Sequence, residues 1–183
     1  RRLAVASALR DVGVEKGQTV AILCDTTPDA VYIDLGILTA GAVSLALDPE
    51  DEADKVGERL RATKCRVLFA ENEEQLDKAL AIRESCPDLL RVVILDMKGL
   101  RDFQDAGCES LRTFLDRPAA SGSIDVRPND PAALVVGADG SLETVTHADL
   151  LARVARSHTK GMPQGLASEV EFACAVDLVA WFR

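Results

Sequence analysis

The sequence predicts an α/β protein built on a parallel sheet with βαβ crossovers, and three observations carry that prediction. Short apolar runs rich in Val, Ile and Leu recur along the chain, as they do in strands buried on both faces of a sheet. Segments with helical periodicity, each of about 10–14 residues, separate these runs. The chain has 183 residues, of which 48% are hydrophobic, and this is enough apolar material for a buried core.

The predicted elements alternate from the N-terminus onward. A first helix ends at Gly13. Thr27 and Pro28 supply the cap and the first turn of the second helix, which ends at Gly41. Strands are predicted over 18–23, 42–47, 66–69, 91–95 and Pro131–Val136. Helices are predicted over 3–13, 29–40, 52–63, 73–86, 146–158 and 169–183, with a short helix and loop over 99–116.

Composition divides the chain into three parts. Residues 1–116 form a predicted N-terminal subdomain of βα repeats, and residues 131–183 a strand-loop-helix segment with a C-terminal helix. Residues 117–130, between them, are rich in Pro, Ser, Gly and Asp and are predicted to be a connecting loop. The first helix starts without a Met and no residue ends the last one, so we expect the chain to be a piece of a longer protein.

Charge and composition exclude several classes of function. Acidic side chains outnumber basic ones by 30 to 21, which gives a net charge of −9 and excludes nucleic acid as the main partner. No apolar run reaches the roughly 18 residues that a membrane-spanning helix needs. The five cysteines are scattered without a Cys-x-x-Cys pair, which is typical of free thiols in the cytoplasm rather than of disulfides or a zinc site.

Short motifs in the first half of the chain carry a resemblance to a known family. They are GVEKGQTVAIL over 13–23, TPD over 27–29, GILTAGAV over 36–43 and LDP over 47–49. They are similar to the patterns GV-x-KGD-x-VAIL, N-x-P-E and GIL-x-AGAV-x-x-PLDP of the adenylate-forming superfamily, which includes acyl-CoA synthetases, peptide adenylation domains and luciferase. The resemblance covers about the first 155 residues and implies the fold of that family's N-terminal subdomain.

The resemblance also implies a phosphate loop after the fifth predicted strand. Members of the family carry there a loop of the pattern Y-TSGTTG-x-PKG-V-x-x-TH, whose glycines let backbone N–H groups approach the ATP phosphates. This chain has GADGSLETVTH over 137–147. The residues that the resemblance implies for ATP binding are Gly137, Gly140, Ser141, Thr144 and Thr146.

This loop departs from the family pattern in ways that weaken ATP binding. It is roughly four residues shorter than the pattern and has no lysine. Asp139 and Glu143 fall where phosphate would lie, and their charges repel it. The two carboxylates could instead hold Mg²⁺, but the loop offers few other donors. A tight glycine turn between strand and helix accounts for the same residues, so we interpret the segment as a degenerate phosphate loop.

The other candidate residues favour structural roles, and no catalytic or metal-binding residue is predicted. His147 falls in the first turn of a predicted helix, and His158 near its end, where a basic group complements the helix dipole. Cys24 follows the first strand, but no nearby base supports a nucleophile. The acidic runs over 50–52 and 71–74 are predicted to be solvated helix N-termini.

Three hypotheses of function follow. In the first, which the resemblance implies, a parent protein activates a fatty or aryl carboxylic acid with ATP and Mg²⁺ as acyl-AMP and passes it to CoA or a carrier thiol. The chain is then an N-terminal part, inactive alone, whose partner is the rest of the parent or another domain or subunit. In the second, a pseudo-adenylation domain keeps the fold as a scaffold. The third, another Rossmann-like nucleotide binder, is disfavoured because no Gly-x-Gly-x-x-Gly follows the first strand.

Overall fold

The structure is a computed structural model that describes residues 1–118, 124–137 and 139–158, with the helical backbone alone from 154 to 158. The predicted helix over 169–183 lies outside the described residues. The helices are α1 (Arg2–Asp11), α2 (Pro28–Thr39), α3 (Ala53–Ala62), α4 (Glu73–Ile82), α5 (Leu111–Leu115) and α6 (His147–His158). The strands are β1 (Thr19–Leu23), β2 (Val43–Leu47), β3 (Val67–Ala70), β4 (Arg91–Ile94), β5 (Cys108–Ser110), β6 (Pro131–Val136) and β7 (Leu142–Thr146).

A seven-stranded sheet organises these elements in the order β5-β4-β3-β1-β2-β6-β7. All neighbouring strands pair in parallel except β6 and β7, which form an antiparallel hairpin at one edge. The predicted α/β class with a parallel sheet is therefore confirmed. Because β6 pairs with β2, strands from both sides of the 117–130 connection belong to one sheet.

The strand β1 is buried on both of its faces and divides the core into two layers. Ala21 and Leu23 point into a cluster that contains Val56 of α3 and Leu76 of α4. Alternate residues of the same strand, such as Val20, point into a second cluster, because successive strand side chains face opposite ways. That second layer holds residues of α1, α2 and α5, and its largest contact is the edge-to-face pair of Phe69 and Phe114, whose ring centroids lie 5.5 Å apart.

Two strands and one helix boundary differ from the sequence prediction. The segment 99–116 contains β5 in addition to the short helix, and β7 occupies residues expected to be loop. Both strands lie at sheet edges and are partly exposed, so neither has the apolar run that marks a buried strand. The helix predicted over 73–86 ends as α-helix at Ile82 and continues as a 3-10 turn over Arg83–Ser85.

The predicted cap of α2 is confirmed, and a glycine and a lysine fix the connection that leads to β6. Thr27 Oγ1 accepts a hydrogen bond from the N–H of Ala30 at 3.2 Å. Gly41 lies just after α2 and has a φ of 68°, which favours glycine. A Cβ at this position would lie 3.0 Å from the side chain of Ile124. Lys16 Nζ donates to the carbonyl oxygen of Asp125 at 2.6 Å and lies 2.7 Å from Asp130 Oδ2. The start of β6 is thereby held beside β2.

A carboxyl group of α2 lies at the interface between that helix and the sheet. Asp34 accepts a hydrogen bond from the side chain of Ser44 on β2, and its Oδ2 is buried with no hydrogen-bond partner among the described residues. Burial raises the pKa of the Asp34 carboxyl to about 6, although the Ser44 hydroxyl acts in the opposite direction. The charged form of this group therefore opposes folding near neutral pH.

The helices α1 and α2 approach each other at a glycine, and this contact can be tested. A Cβ at Gly36 would lie 2.4 Å from Val5 Cβ, so Gly36→Ala forces the two helices apart. We expect a net loss of about 2 kcal/mol in the free energy of unfolding, because overpacking exceeds the gain of about 1 kcal/mol in helix propensity. Urea denaturation measures the change. Gly57→Ala, whose nearest carbon would be Ile82 Cβ at 3.2 Å, is the matched control with a smaller loss. Equal losses in the two variants would contradict this assignment.

The buried carboxyl predicts an unusual dependence of stability on pH. The folded pKa of Asp34 lies above 3.8, so its contribution to stability is complete at acidic pH and declines as the pH rises through about 6. Asp34→Asn lacks this decline. We expect the variant to gain up to about 3 kcal/mol over the natural chain at pH 7.5, but only about 1 kcal/mol at pH 4.5. Denaturant titrations at both pH values provide the test, with the exposed Asp102→Asn as control. A stability offset that does not change with pH contradicts the prediction.

Candidate functional site

The carboxyl edge, formed by the ends of β1, β2, β3, β4 and β6 and the residues that follow them, is where ligands bind in parallel sheets. In this chain it is acidic. Four carboxylates on it each accept a backbone N–H: Asp48 from Glu50 at 2.9 Å, Glu71 from Asp25 at 2.7 Å, Asp96 from Lys98 at 2.9 Å and Asp139 from Ser141 at 3.0 Å. Four backbone donors at this edge are thus bonded to side chains of the chain itself. Among the described residues, no group of three His, Cys, Asp or Glu residues is arranged to hold a metal ion.

The predicted phosphate loop falls at the turn of the β6–β7 hairpin, of which the structure describes Gly137 and residues 139–141. The N–H of Gly137 donates to the carbonyl oxygen of Ser141 at 2.8 Å, and the N–H of Gly140 donates to the carbonyl oxygen of Gly137 at 2.8 Å. Gly140 has a φ of 81°, which a residue with a Cβ adopts only with strain. Both the N–H and the Oγ of Ser141 donate to Asp139 Oδ1, at 3.0 and 2.6 Å. The turn is closed by its own hydrogen bonds.

The predicted site residues fall into two groups in the structure. Gly137, Gly140 and Ser141 lie in the turn, whereas Thr144 and Thr146 lie in β7. The expectation that the loop extends to Thr144 is therefore wrong, because residues 142–146 pair with β6. Thr146 instead caps α6, since its Oγ1 accepts from the N–H of Asp149 at 3.1 Å.

Glu143 does not share the turn with Asp139, contrary to the expectation that both face one phosphate position. It lies in β7, where it is exposed, and its Oε1 lies 3.2 Å from Arg153 Nη2 on α6. The hairpin twists this side chain towards the helix that follows. Asp139 is therefore the carboxylate that determines the chemistry of the turn.

The ATP phosphates that the resemblance implies do not fit this turn. A Cβ at Gly137 would lie 2.7 Å from Ser141 Oγ and 2.8 Å from Asp139 Oδ1, so these side chains fill the concave side where phosphate oxygens would lie. Residues 137–146 contain no lysine or arginine to neutralise a phosphate. The hydrogen bonds from Ser141 also hold the pKa of Asp139 below its ordinary value, which keeps it negatively charged.

The remaining sequence candidates lie in structural surroundings. His147 is half-buried at the start of α6, and its backbone N–H donates to the carbonyl oxygen of Asp130 at 3.2 Å. Burial lowers the pKa of its imidazole. Cys24 is half-buried after β1, and its lack of a catalytic role remains a prediction. The side chain of His158 lies outside the described residues. The prediction that the run 50–52 is solvated is wrong for Asp51, which is 8% exposed and contacts Lys55 and Arg59. Ion pairing with α3 compensates the burial of this carboxylate.

A second concave region lies at the carboxyl ends of β4 and β5, in a segment where the sequence shows no periodic pattern. This cleft of about 560 Å³ is lined in part by Ile94, Met97, Phe103, Asp105 and Cys108. The hydrogen bond from Arg83 lowers the pKa of Asp105 to about 2, whereas burial raises the pKa of the Cys108 thiol to about 11. The thiol is therefore protonated near neutral pH and is a poor nucleophile.

None of the helices in the described part of the chain has both the length and the apolarity that a bilayer crossing requires.

The known proteins that this chain is similar to point to one family. The family described as AMP-binding enzyme matches residues 1–136, up to the last residue of β6. The long-chain-fatty-acid–CoA ligase heimdall of Drosophila melanogaster is 33% identical over 90 residues, which cover 49% of this chain and 13% of that protein. The phosphinothricin tripeptide synthetase PhsC of Streptomyces viridochromogenes is 31% identical over 137 residues, which cover 75% of this chain and 11% of that protein. The chain thus spans a small part of these curated relatives.

Solved structures share the fold. The anthranilate CoA ligase AuaEII, in complex with anthranoyl-AMP, matches with a TM-score of 0.71 and 21% identity, over 84% of this chain and 30% of that one. The coronafacic acid ligase from Pectobacterium brasiliense matches with a TM-score of 0.77 and 14% identity, over 90% of this chain and 32% of that one. The sheet order, the motifs and the match over residues 1–136 agree, and the chain belongs to the AMP-binding enzyme family.

Proposed function

We propose that this chain is the N-terminal part of an acyl-adenylate-forming ligase and is inactive by itself. The parent joins ATP and a fatty or aryl carboxylic acid to give acyl-AMP, and then transfers the acyl group to CoA or a carrier thiol. The family membership supports the reaction class. The names of two similar proteins, a long-chain-fatty-acid–CoA ligase and an anthranilate CoA ligase, support the class of acid.

The closed β6–β7 turn is the observation that carries the proposed inactivity. It lies where the resemblance implies the phosphate loop, but the N–H groups of Gly137, Gly140 and Ser141 are bonded within the turn, which also presents the charge of Asp139. The acidic carboxyl edge adds repulsion against a polyphosphate. Any binding of ATP, Mg²⁺ and acyl acceptor by the protein therefore requires residues from the rest of the parent or from another domain or subunit. A cytoplasmic location accords with the free thiols of Cys24, Cys65, Cys86 and Cys108.

ATP–pyrophosphate exchange tests the proposed inactivity. With the 183-residue chain, ATP, Mg²⁺ and a panel of fatty and aryl acids, we expect no acid-dependent exchange. Calorimetry is expected to give a dissociation constant for ATP weaker than about 1 mM, which corresponds to about 4 kcal/mol of binding free energy. The complete coronafacic acid ligase, assayed alongside with its own acid, controls for the exchange assay. Acid-dependent exchange by the chain would overturn the proposal.

A second candidate function is an interaction scaffold, that is, a pseudo-adenylation domain that keeps the fold without its chemistry. The filled concave side of the turn favours it, because the side chains of Asp139 and Ser141 replace a ligand there. The same exchange assay on the complete protein that contains this chain separates the two functions. Exchange supports the ligase, and its absence, together with undetectable ATP binding, supports the scaffold.

A further inference from the structure

We propose that the Asp139 carboxylate acts as a built-in anion that occupies the phosphate position of the β6–β7 turn, so that the turn excludes phosphate by occupation of its donors as well as by charge. This inference rests on the proposed function, since it concerns the same turn. It adds a cause for the loss of binding, and it assigns that cause to one side chain.

The contacts of a single oxygen atom support this assignment. Asp139 Oδ1 accepts the Ser141 N–H at 3.0 Å and the Ser141 hydroxyl at 2.6 Å. A backbone N–H beside a hydroxyl is the donor set with which glycine- and serine-rich turns hold phosphate oxygens. The same oxygen lies 2.8 Å from the position of a Cβ on Gly137, which places it over the backbone of the first glycine of the turn.

The rest of the hairpin leaves the anion position to Asp139. The carboxylate of Glu143 pairs with Arg153, so the negative charge of Glu143 lies outside the turn. The backbone hydrogen bonds from Gly137 and Gly140 close the loop independently of Asp139. Removal of the carboxylate therefore frees the two Ser141 donors while the turn keeps its backbone bonds. Both hydrogen bonds to the carboxylate also keep it ionised, as its lowered pKa indicates.

Two substitutions at one position separate occupation from charge. Asp139→Ala removes the charge and frees the donors of Ser141. Asp139→Asn removes the charge, but its amide oxygen still accepts from Ser141. The assay is a titration with inorganic pyrophosphate in the absence of metal, followed by phosphorus NMR. We expect Asp139→Ala to bind pyrophosphate roughly ten-fold more tightly than the natural chain, because one additional hydrogen bond to a charged group contributes about that factor to the affinity. Asp139→Asn and the charge-matched control Glu143→Gln are expected to change binding less than about two-fold.

The outcomes decide the proposal in each case. The double variant Asp139→Ala/Ser141→Ala lacks the hydroxyl donor. If it does not show the tighter pyrophosphate binding of Asp139→Ala, the proposal is supported. Equal increases in pyrophosphate affinity in Asp139→Ala and Asp139→Asn overturn the proposal, because charge repulsion alone then explains the exclusion. The absence of any increase in affinity in the variants also overturns it. Hydrogen exchange at the Ser141 amide gives a second measurement, with protection expected in the natural chain and Asp139→Asn but lost in Asp139→Ala. Acid-dependent ATP–pyrophosphate exchange by the natural chain contradicts the proposed inactivity, whereas failure of Asp139→Ala to gain pyrophosphate binding leaves that inactivity in place.

Discussion

Each backbone N–H at the carboxyl edge of a parallel sheet needs an acceptor, and in this protein side-chain carboxylates supply it for four of them. Asp48, Glu71, Asp96 and Asp139 each follow a strand and accept an N–H from a nearby turn. These bonds hold the loops that leave the sheet, since a hydrogen bond to a charged carboxylate is stronger than one between neutral groups. The same bonds leave few donors for an external anion. The stability of the edge and its poor fit to phosphate therefore have one physical origin.

The position of the hairpin depends on contacts far from it in sequence. Lys16 and Gly41 hold the connection that precedes β6, and β6 then pairs with β2 at Ser44 and Leu45. Lys16 belongs to a motif that carries the family resemblance, and its contacts here give that motif a structural role. The lysine joins the first turn of the chain to the start of the strand that carries the candidate site. Fold and site are thus coupled through Lys16, the close approach at Gly41 and the pairing of β6 with β2.

The sequence predicts those parts of the fold that depend on local pattern. The strands β1 to β4 and β6 are apolar runs buried on at least one face. The helices α2 and α4 have side-chain caps, and α1 and α3 carry apolar residues at helical spacing, so all of these elements could be located. The strands β5 and β7 could not, since edge strands with exposed side chains carry no such run. Burial of Asp51 depends on Arg59, eight residues further along the chain, and the environment of Asp34 depends on Ser44 of another element. In the candidate site, sequence locates the turn and its acid, but the bonds between Asp139 and Ser141 follow only from the paired strands.

The order of strands in the sheet also has a consequence for how the chain assembles during synthesis. The strand β1 lies in the centre, β2 and β3 join its two sides, β4 and β5 extend one side, and β6 and β7 extend the other. Every strand after β1 therefore meets a neighbour that the ribosome has already produced. Domains that fold from the N-terminus onward expose fewer unpaired strand edges while they are incomplete. In this chain the growing edge ends at β7, so the hairpin that carries Asp139 is the last part of the described sheet to find its place.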